Sequence, residues 1–369
     1  MARSSHRDDS LDLLRIISML MVVCNHLFTW TGVLENSADP MSPLWLAENT
    51  LFVFFLPAVN VFVLISGFFL CTAEFKLKKL VSLWIQSACY SVGFYLFACM
   101  AHHELAISFL GIVKSCLVIT MRHYWFVTAY VLLYIVFPFL NYAIHAMNKK
   151  THALCCMVLL GVFSATANLV YIVDFSSVYG GYSFLWFCVM YIVASYVRLY
   201  IPAKIKHQKW MFLIAILCSL TICGEKYAAH IVTPHIFGTV VLDGFFYSYN
   251  SIMAVPCALA LFQGFRGMEI KSKFFMKIIS FFAPLTFAAY LVHGHPNFSE
   301  VLLDALNVTA YSQTIMIIPY AAICTFSVVI ASCLIEWVRQ QLFRVCGINK
   351  LVERVCDRIQ NRVQVWLDA

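Results

Sequence analysis

Residues 11–31 read LDLLRIISMLMVVCNHLFTWT, an apolar run with Asp12, Arg15 and His26 set inside it. A bilayer core ~30 Å thick takes about 20 residues of helix, so this stretch is long enough to cross. MARSSHRDDS leads into it without a small-residue cleavage site, which reads as a retained first helix rather than a cleaved signal. The rest of the 369 residues repeats the pattern, long apolar runs divided by short polar breaks. Apolar residues make up 62% of the chain, aromatic ones 16% and charged ones only 12%. A soluble domain carries roughly 25% charged residues, so a soluble enzyme is excluded. The sequence predicts an all-α, polytopic membrane protein of about ten transmembrane helices. Their expected positions are roughly 11–31, 48–70, 80–101, 124–145, 152–172, 183–201, 210–228, 245–265, 277–295 and 313–338. The apolar stretch 105–120 (LAISFLGIVKSCLVIT) is short for a span and is expected to lie in the interface or re-enter.

Basic residues collect in loops that stay cytoplasmic. On this map 21 of the 25 Lys and Arg residues fall on one side, from Arg3 and Arg7 through Lys76, Lys78 and Lys79 to the tail. Lys114, Arg122 and Lys226 fall on the other side, and Arg15 lies within the first span. Both termini are therefore expected in the cytoplasm. The net charge of +7 reports membrane orientation and not nucleic-acid binding. Most of the fifteen cysteines lie inside spans, where the thiol behaves as a small apolar group. None stands in a C-x-x-C pair with zinc spacing, so no metal site is expected. Two regions are expected: a membrane domain over 1–338 and a cytoplasmic tail over 339–369. In the tail Ile348, Leu351, Val352, Val355, Ile359, Val363, Trp366 and Leu367 recur at helical spacing, with basic residues opposite. That pattern describes an amphipathic helix lying on the leaflet.

Ionisable groups inside a span are expensive and mark functional sites by default. Arg15 and His26 are eleven residues apart, about three turns, and so share one helix face, with Met19 and Val22 between them. His26 lies ~16 Å further outward than Arg15. Arg15 and Asp12 could instead be interfacial anchors, and His26 a satisfied structural histidine. In the ninth span Thr286, Tyr290 and His293 follow i, i+4, i+7 spacing and share a face. His293 falls at a depth similar to that of His26. A histidine there can serve as general base or accept an acyl group itself. Lys76, Lys78 and Lys79 read either as orienting charge or as a site for an anionic donor's phosphates. Glu336 and Arg339 are spaced for an i,i+3 ion pair.

Four blocks of this sequence together resemble acyltransferase family 3, the integral-membrane O-acetyltransferases of bacterial surface polysaccharides. They are LDLLRIISMLMVVCNH with its Arg15-x10-His26 pair, NVFVLISGFFL (Asn60 to Leu70), HYWFVTAYVLLYIVFPFLN (His123 to Asn141) and LTFAAYLVHGHP. The family often carries R-x-x-R after the second span, where this chain has Lys76-Leu77-Lys78-Lys79. Lysine keeps the charge and loses the bidentate fork. The resemblance implies acetyl-CoA as cytoplasmic donor and a hydroxyl of a cell-surface or lipid-linked glycan as acceptor, in a multi-pass protein of the bacterial plasma membrane. It implies His26 as base or acyl carrier and Arg15 as the residue positioning the donor. Lys76 and Lys79 would hold the phosphates, with Tyr290 and His293 near the acceptor. Trp125 would stack on a sugar, or else belong to the interfacial aromatic belt. Ser66 with Gly67 is read as a close helix contact. A transporter or exporter of a glycan or small anion is the rival reading, since buried His, Asp and Arg also line substrate pathways. A catalytically silent assembly partner is a third.

Overall fold

The computed structural model describes residues 8–34, 39–101, 106–166, 178–206 and 208–367. Arg3 and Arg7 lie outside the described residues, as do positions 167–172 of the expected fifth span. Helices and the turns between them make up the described chain, with no strand among the described residues. Helix α1 (Asp9–Trp30) starts where the Asp8 carboxylate accepts the backbone N–H groups of Ser10 and Leu11. An oxygen there satisfies donors that the first turn leaves unpaired. Helix α2 (Pro43–Phe55) is capped by Ser42 and continues past a break at Leu56 and Pro57 into α3 (Ala58–Leu70). Then follow α4 (Leu77–Ala101), the short α5 (Phe109–Cys116), α6 (Trp125–Ala146), α7 (Lys149–Leu160), α8 (Phe184–Tyr200) and α9 (Gln208–Phe237). The last are α10 (Ala254–Arg266), α11 (Lys273–Phe282), α12 (Phe287–His293), α13 (Pro296–Leu306), α14 (Ile317–Val345) and α15 (Ile348–Leu367).

Six stretches among the described residues are long and apolar enough to cross a membrane: α1, α2 with α3, α4, α6, α9 and α14. A seventh arises if α11 and α12, bent by 44°, count as one span. The expected span 183–201 is the 17-residue apolar helix α8, and 152–172 begins as α7 followed by one π turn over Gly161–Ala165. The expected span 245–265 is shorter than read, because α10 starts only at Ala254. The preceding residues, with Leu242 and Gly244 at positive φ, fold back among the helices instead. There Tyr249 N–H donates to Gly180 O (2.9 Å) and the Asn250 amide donates to Phe163 O (2.8 Å). Irregular backbone survives at membrane depth only when its polar groups are met in this way.

Of the stretch 105–120, the described residues begin at 106 and hold no helix long enough to span. Its helix α5 has eight residues, ~12 Å of length, too little to cross. Ser108 meets Tyr95, Trp84 donates to Cys116 O, and His123 returns to Ser91. The segment thus packs along about three turns of α4, from Tyr95 to Trp84, and turns back to Ser91.

Among the described residues, two large apolar cores fill most of the bundle. One gathers α3, α6, α8 and α10 around Phe68, Trp186 and Phe262; the other gathers α12 and α14 around Phe28, Leu291 and Val329. Helices α1 and α6 contribute residues to both. Close approach of α3 and α8 depends on Gly67, where a Cβ would stand 2.8 Å from Ala194 Cβ and 3.1 Å from Tyr191 Cα. Neither neighbour can swing aside. Gly67→Ala is therefore expected to cost about 1–3 kcal/mol, read as a lowered midpoint of thermal unfolding in detergent. Asn60, in the same block, is buried and bonded at both ends of its carboxamide: the amide donates to Tyr249 O (2.6 Å) and the carbonyl accepts Trp186 Nε1 (2.9 Å).

Candidate active site

His26 sits in the last turn but one of α1, and His293 closes α12. Their side chains meet across 267 residues of sequence: His26 Nδ1 and His293 Nε2 are 2.8 Å apart. The partner on the other side of the His293 ring is the Ala289 carbonyl, one turn back, which contacts Nδ1. A carbonyl only accepts, so His293 Nδ1 carries the proton and Nε2 accepts. With both rings neutral, His26 Nδ1 must then be the donor. His26 Nε2 is left unprotonated, which is the form a general base or a nucleophile needs. Trp30 lies over the His26 ring, stacked at 3.8 Å and 15°, and is itself exposed. Packing and a hydrogen bond thus fix the imidazole from two directions.

A cavity of about 30 Å³ opens beside His26. Met19 and Val22 of α1, Val59 and Phe62 of α3, Trp125 and Phe126 of α6, Tyr249, Phe287 and Tyr290 line it. It lies where the two apolar cores meet, since Val59 and Tyr249 belong to one and Met19 and Tyr290 to the other. That volume holds a water or two and little more. Tyr290 is held in place by the Phe126 N–H, which donates to its hydroxyl (3.3 Å). Trp125 stands among aromatic rings, 4.7 Å from Tyr182 and 6.4 Å from Tyr249, the latter nearly parallel.

His26, His293, Tyr290 and Trp125 are therefore brought together. Arg15 and the lysines are not part of that group. The Arg15 guanidinium pairs with Asp12 (2.6 Å) and lies 5.5 Å from the Phe69 ring, on the His26 face but three turns away. Lys76 and Lys79, with Lys78, line a separate polar pocket of about 820 Å³ between α4, α14 and α15. Arg339 and Arg344 add two further cations there, and Glu336, Glu353 and Asp357 three carboxylates. Arg15 does not line it.

The expected i,i+3 pair of Glu336 and Arg339 is present and is more than a pair. Glu336 is 1% exposed and accepts from both Arg339 Nε (2.8 Å) and an Arg339 terminal nitrogen (2.6 Å), from Gln340 (2.9 Å) and from Tyr90 (3.0 Å). This fixes one Arg339 edge at the pocket wall. Next to Tyr90 on α4, a second histidine cluster around Ser91 escaped the sequence reading. Asn297 N–H donates to His295 Nδ1, His295 Nε2 donates to Ser91, and the Ser91 hydroxyl is hydrogen-bonded in turn to His123 Nδ1 (3.0 Å). These bonds tie α13 and the segment after α5 to α4.

A model for an acyltransferase domain matches residues 8–337, nearly the whole chain. The chain belongs to acyltransferase family 3. As a member of that family with several apolar crossing helices, it is a multi-pass membrane acyltransferase. No curated protein matches it, and no solved structure does. The family match begins at Asp8, which caps α1, and so takes in the Arg15-x10-His26 face. It ends at Trp337, one residue beyond Glu336, and leaves out α15, which forms one wall of the lysine pocket. Besides the second histidine cluster, sequence reading of this acyltransferase missed Trp30, Tyr249 and Arg344. Tyr249 was hidden inside an expected span (FFYSYN, 245–250), and its only signal was the density of aromatic rings there.

Proposed function

We propose that this acyltransferase moves an acetyl group from acetyl-CoA to a hydroxyl of a cell-surface or lipid-linked glycan. The observation that carries the reading is the ordered Ala289–His293–His26 chain, which leaves His26 Nε2 as a base beside a cavity. In the step, the hydroxyl oxygen bonds to the acetyl carbonyl carbon while His26 Nε2 takes the hydroxyl proton. The carbon–sulfur bond breaks, and the proton passes to the departing CoA thiolate. If His26 instead carries the acetyl group for a time, the same nitrogen is the nucleophile. His293 is then a positioning residue, setting the His26 tautomer.

The lysine pocket suits the donor's phosphates: it is large and polar, and cations outnumber carboxylates in its lining. Arg15, on the face between that end of the bundle and His26, would steady the pantetheine arm. Trp125, with Tyr182 and Tyr249, offers aromatic faces on which a sugar ring can stack. In this reading the protein sits in a bacterial plasma membrane with the lysine pocket in the cytoplasm and the acceptor outside, a placement that the charge asymmetry supports.

The test is turnover of labelled acetyl-CoA by purified protein in detergent, where no sealed compartment exists. Turnover is expected; activity only in sealed vesicles with a gradient would overturn the reading in favour of transport. Replacing Lys76 and Lys79 together with glutamine is expected to raise KM for acetyl-CoA roughly tenfold or more with little change in kcat, the scale of one or two charge-assisted contacts. Mass spectrometry of surface glycans with and without the gene would identify the acceptor.

A further inference from the structure

Read in steps of four, α15 has four parallel stripes. Lys350, Arg354, Arg358 and Arg362 form a basic one, exposed throughout. Leu351, Val355, Ile359 and Val363 form an apolar one beside it, 46–61% exposed. Val352, Cys356 and Gln360 face α4: Cys356 is buried, and Gln360 accepts from Leu77 N–H (3.2 Å) and donates to Phe75 O (3.1 Å). Glu353, Asp357 and Asn361 line the lysine pocket, and Glu353 pairs with Lys78 at 2.7 Å. Two of the four stripes are accounted for by protein contacts. The other two, apolar beside basic, have the character of a helix seated at a bilayer with anionic headgroups.

The place of the helix fits that partner. Helix α14 runs for 29 residues, ~43 Å, more than a bilayer core of ~30 Å requires. Only Cys346 and Gly347 separate it from α15, and Gly347 at φ 70° turns the chain. So α15 begins where the bundle leaves the hydrocarbon. We propose that its apolar and basic stripes bind an anionic phospholipid leaflet, and that this seating governs the lysine pocket by drawing Glu353 away from Lys78. Glu353 competes with the donor's phosphates for that lysine. The second half rests on the donor reading given above; the first does not.

The test uses the full chain in nanodiscs of phosphatidylcholine alone or mixed with phosphatidylglycerol, with CoA as probe. Phosphatidylglycerol is expected to slow amide exchange over residues 348–367 and to tighten CoA binding by ~2- to 5-fold, the range an exposed ion pair yields. A variant with Arg354, Arg358 and Arg362 all changed to glutamine is expected to lose both effects. Glu353→Gln is expected to bind CoA as tightly in phosphatidylcholine alone as the unaltered protein does in the mixed discs. Lipid effects of equal size in the triple variant would reduce them to general surface potential and overturn the proposal. So would exchange that ignores lipid composition. Absence of CoA binding in every disc, with lipid-dependent exchange intact, would sink the donor reading and the coupling while leaving the lipid-binding surface standing.

Discussion

His26→Ala is expected to lower acetyl transfer by ~10²- to 10⁴-fold, the contribution of a positioned general base. On the proposed mechanism the loss should fall on kcat, because there the imidazole would act on the proton in transit and not on the donor's phosphates. Two controls keep the result from being a folding artefact. Among the described residues His26 is packed under Trp30 and bonded to His293, so its removal should leave insertion intact and cost about 1–3 kcal/mol of stability for the unpaired His293 nitrogen. His293→Phe removes the acceptor for His26 Nδ1–H and the fixed tautomer with it, yet keeps a ring in the packed site. It should lower kcat less than His26→Ala and should alter the pH profile of kcat, which a purely structural partner would not. Unchanged turnover in His26→Ala, with normal accumulation, would remove His26 from the chemistry.

Much of that site is legible in the sequence. Helix geometry put Arg15, Met19, Val22 and His26 on one face, and in the structure Met19, Val22 and His26 line one cavity. Counting residues also placed His26 and His293 at similar depth. What spacing could not give was their meeting, because helical periodicity is silent on which faces of distant helices touch. The same limit hid Tyr90 beneath Glu336, where sequence showed only the local Arg339 partner. Composition misled over 245–265: an aromatic, apolar run there is read as a span, yet Leu242 and Gly244 at positive φ and the bond from Tyr249 to Gly180 make its first part a loop. The tail shows a subtler gap. Its amphipathic pattern was plain, but an apolar stripe says where lipid can lie, not that the Glu353 stripe faces a pocket of lysines.

Glu336→Ala is expected to cost about 3–5 kcal/mol, the scale for breaking a buried ion pair from one side. The carboxylate meets four donors at 2.6–3.0 Å from three residues, Tyr90, Arg339 and Gln340. Its removal leaves a guanidinium and a hydroxyl that were satisfied by it alone among the bonds resolved at that wall. By contrast Tyr90→Phe deletes one of those donors and should cost about 1 kcal/mol. The order of the two, read from thermal unfolding in detergent, separates a charge network from a simple packing site. Because Arg339 also lines the lysine pocket, Glu336→Gln offers a finer probe. Glutamine keeps the shape but not the charge, so Arg339 is freed to meet an incoming phosphate or lost to solvent. A change in donor KM larger than that of Tyr90→Phe would place Arg339 in donor binding. A loss of stability for Glu336→Ala no greater than that of Tyr90→Phe would mean that the guanidinium is met by water at the pocket wall, and that the four-bonded carboxylate is not what holds α14 against α4.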